Sequence, residues 1–187
     1  MATILAGIDE AGMGTLAGPL VAAVVVIEAS RVPNGVRDSK KLSSDQREEL
    51  AALIMDAAEF FEVAAVDPAI IDRSGLSGSW VRAIRKVACA AHCSYDGEII
   101  LDGNRLVELP YVRPVVKADD KYPAVSAASI LAKYTQCCWM DDYHLEFPAY
   151  GFDQHHGYGT ADHTRILKEV GPCPAHRKSF GPVKRLL

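Results

Sequence analysis

A chain of 187 residues, 49% of them apolar, has room for one domain with a substantial core and is too apolar to be largely disordered. No apolar run is long enough to span a bilayer, the start lacks the charged stretch and cleavage site of a secretory leader, and five cysteines without a repeating framework suit a reducing compartment, so a cytoplasmic setting with no membrane partner is expected. The net charge of −4 argues against a uniformly basic surface, yet it leaves phosphate-bearing partners open, because carboxylates around a metal are offset by their ions and phosphate needs only a local basic patch.

Thr3 to Ile8 and Leu20 to Ile27 are rich in apolar and β-branched residues and predict two adjacent strands around a Gly-rich turn, the second buried on both faces. Ser43 to Gln46 has the pattern of a capping box, after which Leu50, Leu53, Ile54 and Ala57 recur on one helical face. Phe60 to Val66 predicts a third strand, and a second helix is expected from about Ser79 to Cys93. Ile99 to Leu101 and Val112 to Val116 read as shorter strands. A third helix is expected from about Ala124 to Tyr143, where the small Ala127 and Ala128 permit close packing. Thr160 can cap a last helix that stops at Gly171, with Pro172 just beyond. Three strands followed by alternating helices and strands specify the α/β class, a mixed central sheet with helices on its faces. No repeat, low-complexity segment or linker divides residues 1–187, so a single domain is expected. From Gly171 to Leu187 the chain carries Arg177, Lys178, Lys184 and Arg185 and no acid, a short basic C-terminal segment that can face phosphate or simply keep the surface soluble.

Acids stand at the ends of three apolar runs: Asp9 and Glu10, Asp102, and Asp119 with Asp120. Each alone has an ordinary reading. Asp-Glu after a strand is usually a solvated loop, Asp102-Gly103-Asn104 an ordinary turn, and Asp119-Asp120 a favourable pair before a helix. Together they make the oxygen-rich set that hard divalent cations such as Mg²⁺ or Mn²⁺ require, and two such ions can cleave a phosphodiester. Because neighbouring strand residues face opposite ways, Asp9 and Glu10 can share one ion only if the turn begins at about Glu10.

With these residues in view, the chain resembles ribonuclease HII, the type 2 ribonuclease H family. The resemblance runs through Gly7-Ile8-Asp9-Glu10-Ala11-Gly12, Ala17-Gly18-Pro19, Asp38-Ser39-Lys40-Lys41-Leu42 and Leu101-Asp102-Gly103. It continues through Lys117-Ala118-Asp119, the segment from Ala127 to Lys133, His156-Gly157-Tyr158, Gly171-Pro172, and His176-Arg177-Lys178-Ser179-Phe180. It implies an RNase H-like fold and hydrolysis of the RNA strand of RNA–DNA hybrids. Single ribonucleotides in duplex DNA are included, with the cut on their 5′ side leaving a 3′-hydroxyl and a 5′-phosphate. Asp9, Glu10, Asp102 and Asp119 match the family's four acids. Asp119 is preferred to Asp120 because it holds the acid position of Lys-Ala-Asp. Asp9 and Asp102 become the central ligands of two ions, while Glu10 and Asp119 complete the ligation or orient the water. By the same resemblance Tyr158 packs on the ribose, the backbone of Gly12, Met13 and Gly14 lies along the ribonucleotide junction, Lys40 contacts a phosphate, and Arg177, Lys178 and Ser179 bind the backbone away from the cut.

Two departures stand out. Met13 occupies the arginine position of the family's Gly-Arg-Gly, and Gln136-Cys137 replaces Arg-Asp. Met13 cannot offer a guanidinium fork to phosphate. A catalytically weak hybrid-binding protein is therefore one rival, and a type 3 ribonuclease H is another, disfavoured by the lack of room for an N-terminal substrate domain. Docking on the replication clamp has no support in the short ending Lys184-Arg185-Leu186-Leu187, and a monomer is expected. Cys89, His92 and Cys93 share a helical face without a fourth zinc ligand. His144, His155, His156 and His163 are read as surface or capping residues, and Trp80 and Trp139 as core or its margin.

Overall fold

The computed structural model describes residues 3–36 and 42–187. Five strands form one sheet in the order β3-β2-β1-β4-β5, with β1 at Ile4–Ala11, β2 at Leu20–Glu28, β3 at Phe60–Val66, β4 at Ile99–Asp102 and β5 at Val112–Val115. Strand β2 pairs antiparallel with both β1 and β3, whereas β1 with β4 and β4 with β5 are parallel. All strands but β2 therefore run the same way, and the carboxyl ends of β1 and β4 lie side by side.

Helix α2 (Pro68–His92) covers one face, where Trp80, Ile84 and Val87 pack on Ile8, Val24 and Val26. Helices α1 (Ser44–Ala57) and α3 (Pro123–Glu146) cover the other, where Leu50, Ile54, Ala127 and Leu131 meet Val21, Ala23 and Val25. Strand β2 is buried on both faces, which explains its unbroken apolar run. The capping box at Ser43 forms with Gln46, Thr160 caps α5 (Ala161–Val170), and Gly171 ends it.

The start of α3 lies directly on β1 at Gly7. A Cβ there would stand 2.3 Å from the Val125 nitrogen, so only glycine lets helix and strand approach this closely. Two expectations need correction. Strand β1 does not turn at Glu10 but pairs with β2 as far as Ala11 opposite Val21. Helix α2 begins at Pro68, eleven residues before Ser79 in sequence number, with the Asp67 carboxylate accepting from the Ala69 amide at 2.8 Å. Gly75, at φ 73° and ψ 159°, breaks this span into two helices, so the second begins in the Gly- and Ser-rich stretch a few residues before Ser79 and the unexpected part is the helix from Pro68 to Ser74. Short helices α4 (Phe152–His155) and α6 (Gly181–Lys184) complete the chain.

Candidate active site at the carboxyl ends of β1 and β4

A hollow of about 220 Å³ opens at these strand ends, and Asp9, Glu10, Asp102 and Asp119 all line it. Asp120 is not among its lining residues. Asp9 follows Ile8, whose side chain faces α2, so Asp9 leaves on the α3 side beside Ser129 and Glu10 on the α2 side. Both still border the hollow, because the sheet ends there and the hollow wraps around the strand's tip. Asp102 at the end of β4 accepts from the Ala118 amide at 2.7 Å, which ties the loop bearing Asp119 to that strand. The Ser126 hydroxyl on α3 donates to the Asp119 carbonyl from the other side.

Burial, then the neighbouring Glu10 charge and more weakly that of Asp102, push the Asp9 carboxyl up to about 7, against hydrogen bonds from Ser129 and the Glu10 amide. A carboxylate so destabilised by burial and by neighbouring charge is one that a cation rescues. The donors are all hard oxygens, so the set fits a divalent ion of the Mg²⁺ or Mn²⁺ type. Among the described residues no three such side chains converge as a ready ligand shell, in keeping with like charges that repel.

The rim carries Gly12, Met13, Gly14 and Tyr158. Gly12 has φ 82° and a Cβ there would stand 2.5 Å from the Pro19 carbonyl oxygen, so the loop demands glycine, whereas Gly14 is exposed with open space around it. The Met13 side chain packs against the α2-side core. Tyr158 is 43% exposed, with the Lys133 ammonium 5.2 Å from its ring centroid. Lys133 also lines the hollow and donates to Gln136 at 2.6 Å, while Gln136 donates to the His156 carbonyl at 3.0 Å.

The basic segment divides. Arg177 is fully buried: its Nε donates to the Gly18 carbonyl at 3.0 Å and its Nη1 to the Met13 carbonyl at 3.4 Å. It thus braces the loop from beneath. Lys178 and Ser179 are exposed, their amides donating to the Asp72 carboxylate at 2.9 and 2.8 Å. Lys40 lies outside the described residues.

Sequence reasoning gave no role to Ser129 and Lys133, although both stand in the quoted segment from Ala127 to Lys133, one helical turn apart on the side of α3 that meets Asp9. It also misplaced one histidine: His163, read as a surface or capping residue, is fully buried, and His176, given no role, is nearly so.

The family model for ribonuclease HII matches residues 6–183. The chain belongs to the ribonuclease HII family. The activity follows: it is a metal-dependent endoribonuclease acting on RNA–DNA hybrids. Ribonuclease HII of Halorhodospira halophila is 46% identical over 184 residues, covering 97% of this chain and 93% of that protein. Among solved structures, ribonuclease H2 from Pyrococcus horikoshii superposes with a TM-score of 0.78 at 28% identity, covering 98% of this chain and 97% of that one. The RNase HII of Archaeoglobus fulgidus, solved as a complex with PCNA, gives 0.76 at 30% identity and covers 94% of each chain. The fold is RNase H-like, and the type 3 alternative falls away.

Proposed function

We propose that this ribonuclease HII cuts long RNA–DNA hybrids and also duplex DNA carrying a single ribonucleotide, on the 5′ side of that ribonucleotide, leaving a 3′-hydroxyl and a 5′-phosphate. The observation that carries the reading is the meeting of Asp9, Glu10, Asp102 and Asp119 in one hollow with Tyr158 at its rim. Asp9 and Asp102 would hold the divalent ions, Mg²⁺ or Mn²⁺, and Glu10 and Asp119 would complete the ligation or orient the water. Such ions lower the pKa of water and neutralise charge on the departing 3′-oxygen.

The chain's own groups do the rest. The Tyr158 ring packs on the ribose, where contact with the 2′-hydroxyl separates RNA from DNA. The backbone of Gly12, Met13 and Gly14 lies along the junction, and the open space at Gly14 admits the substrate backbone. Lys178, Ser179 and Lys40 contact phosphates, which position the duplex without reading its sequence. Arg177 serves the substrate indirectly, by bracing the loop that carries Met13. The enzyme acts as a monomer, as one domain with a basic C-terminal segment, in the cytoplasm, where its five unpaired cysteines stay reduced.

Met13 favours one second reading, a hybrid-binding protein that cuts poorly. Cleavage of a labelled DNA duplex with one ribonucleotide, run beside a long hybrid in Mg²⁺ and then Mn²⁺, separates the two. A single cut 5′ of the ribonucleotide supports the proposal. Tight binding of both substrates without a cut in either metal would replace it with the second reading.

A further inference from the structure

Three histidines form a buried cluster behind the Tyr158 loop, and their hydrogen-bond partners allow one arrangement of protons. The Tyr158 carbonyl can only accept, so His163 carries its proton on Nδ1, 2.8 Å away. Neutral His163 then accepts at Nε2 from His176 Nε2, 3.0 Å away. His176 Nδ1 is left as an acceptor, and the Cys173 amide donates to it at 3.1 Å with the Cys173 thiol at 3.2 Å. His155 Nε2 donates to the Tyr150 carbonyl at 2.9 Å and its Nδ1 accepts from the Gly157 amide at 3.2 Å. Every ring nitrogen is engaged, and an added proton must land on one that already faces an N–H.

This chain joins the segments that present the substrate-facing residues. The Gly157 carbonyl accepts from Leu16, the Leu16 carbonyl from Arg177, and the Ala175 carbonyl from Gly18, while Ala17 bridges His176. The Tyr158 carbonyl hangs on His163, and Arg177 follows His176 in the chain. We propose that His163 and His176 are positioning residues for ribonucleotide recognition: their neutral, hydrogen-bonded pair holds Tyr158 at a fixed place relative to Arg177 and the loop from Gly12 to Gly18, and protonation releases it. The proposal rests on the reading that Tyr158 meets the ribose.

The groups facing the pair are His155, stacked on His163 at 4.2 Å, Cys173 against His176, the Tyr150 ring at 4.9 Å from His176, and the apolar Phe152 ring among all three imidazoles. Glu146 acts at longer range, on the Cys173 thiol. None of the ring nitrogens has a carboxylate partner among the described residues, so nothing compensates a proton gained there. Burial accordingly lowers the pKa of His163 and brings that of His176 down to about 4.

The test is the ratio of affinities for a duplex with one ribonucleotide and the same all-DNA duplex, measured by fluorescence anisotropy without divalent ions from pH 8 to pH 4. In the wild type the ratio is expected to fall about tenfold as the cluster gains protons, the size of one lost buried hydrogen bond. His163→Asn keeps a donor towards Tyr158 but cannot titrate at that position, so its ratio should change less with pH than the wild type's. The carboxylates, Asp9 among them, still titrate in that variant, and a pH dependence as steep as the wild type's overturns the proposal. Nitrogen NMR of the wild-type imidazoles at pH 7 should show His163 protonated on Nδ1 and His176 on Nε2; the opposite tautomers overturn it without any variant. Tyr158→Ala separates the underlying reading: an unchanged ratio there removes the role of Tyr158 and the proposal with it. A lost ratio in Tyr158→Ala beside a His163→Asn that follows the wild type at every pH removes the latch alone.

Discussion

At the scale of single residues, acids near the ends of three apolar runs pointed to the place where Asp9, Glu10, Asp102 and Asp119 line one hollow, but only the resemblance through Lys117-Ala118-Asp119 chose Asp119, a loop residue beyond β5, over Asp120. Burial was not legible in the same way. Arg177 in a run of basic residues reads as a phosphate contact, yet its guanidinium is buried, with Nε and Nη1 donating to the carbonyls of Gly18 and Met13. Its neighbour Lys178 is exposed and can meet a phosphate. The two roles part in the salt dependence of duplex binding. Lys178→Ala should lower the slope of log affinity against log salt by about 1, the signature of one lost phosphate contact. Arg177→Lys should leave that slope unchanged but destabilise the protein by about 2–4 kcal/mol, because an ammonium cannot reproduce the fork inside a buried site. A lowered slope for Arg177→Lys with undiminished stability would reverse the assignment.

At the scale of elements, strand β3 has the bounds its apolar alternation predicts, and β2, β4 and β5 differ from expectation by a residue at one end. The misses have physical causes. Strand β1 was cut short by requiring both acids on one side of a regular strand, whereas the hollow curls around the strand's tip and takes one acid from each face. The first part of α2, from Pro68 to Ser74, was missed because it is short and ends at the non-helical Gly75; Ile71 packs it into the same core as Trp80. The seat of α3 on β1 depends on Gly7, and through it the place of Ser129 beside Asp9. Gly7→Ala should therefore cost about 3 kcal/mol or more in urea unfolding, above an ordinary overpacked core, and should slow cleavage as α3 is pushed away. A variant as stable as the wild type would show that α3 does not rest there.

At the scale of the whole molecule, stability carries two opposing dependences on pH. The His176 pKa is lowered from 6.5 to about 4 on folding, so the unfolded chain binds more protons between these values and stability rises with pH across them. This contribution is on the order of 3 kcal/mol. Asp9 is raised from 3.8 to about 7, so its contribution is present at low pH and is lost as pH rises through 7. The two offset each other from pH 4 to 6.5. Asp9→Asn should leave the histidine effect alone, with a Tm that falls from pH 6.5 to 4.5 more steeply than in the wild type. A divalent ion should raise the wild-type Tm more at pH 8 than at pH 5, because it meets an ionised Asp9 only at the higher pH. A parallel fall in both proteins, or an equal gain at both pH values, would contradict this balance.

The most direct test of the site is single-turnover cleavage of the RNA strand of a long hybrid by the wild type, Asp102→Asn, Asp119→Asn and Asp120→Asn, in Mg²⁺ and in Mn²⁺. The wild type and Asp120→Asn should cut at rates within about threefold of each other, and the other two should be slower by about 100-fold or more, a barrier increase of about 2.7 kcal/mol. Full activity in Asp102→Asn, or a loss in Asp120→Asn that Asp119→Asn does not share, would contradict a site built from Asp9, Glu10, Asp102 and Asp119.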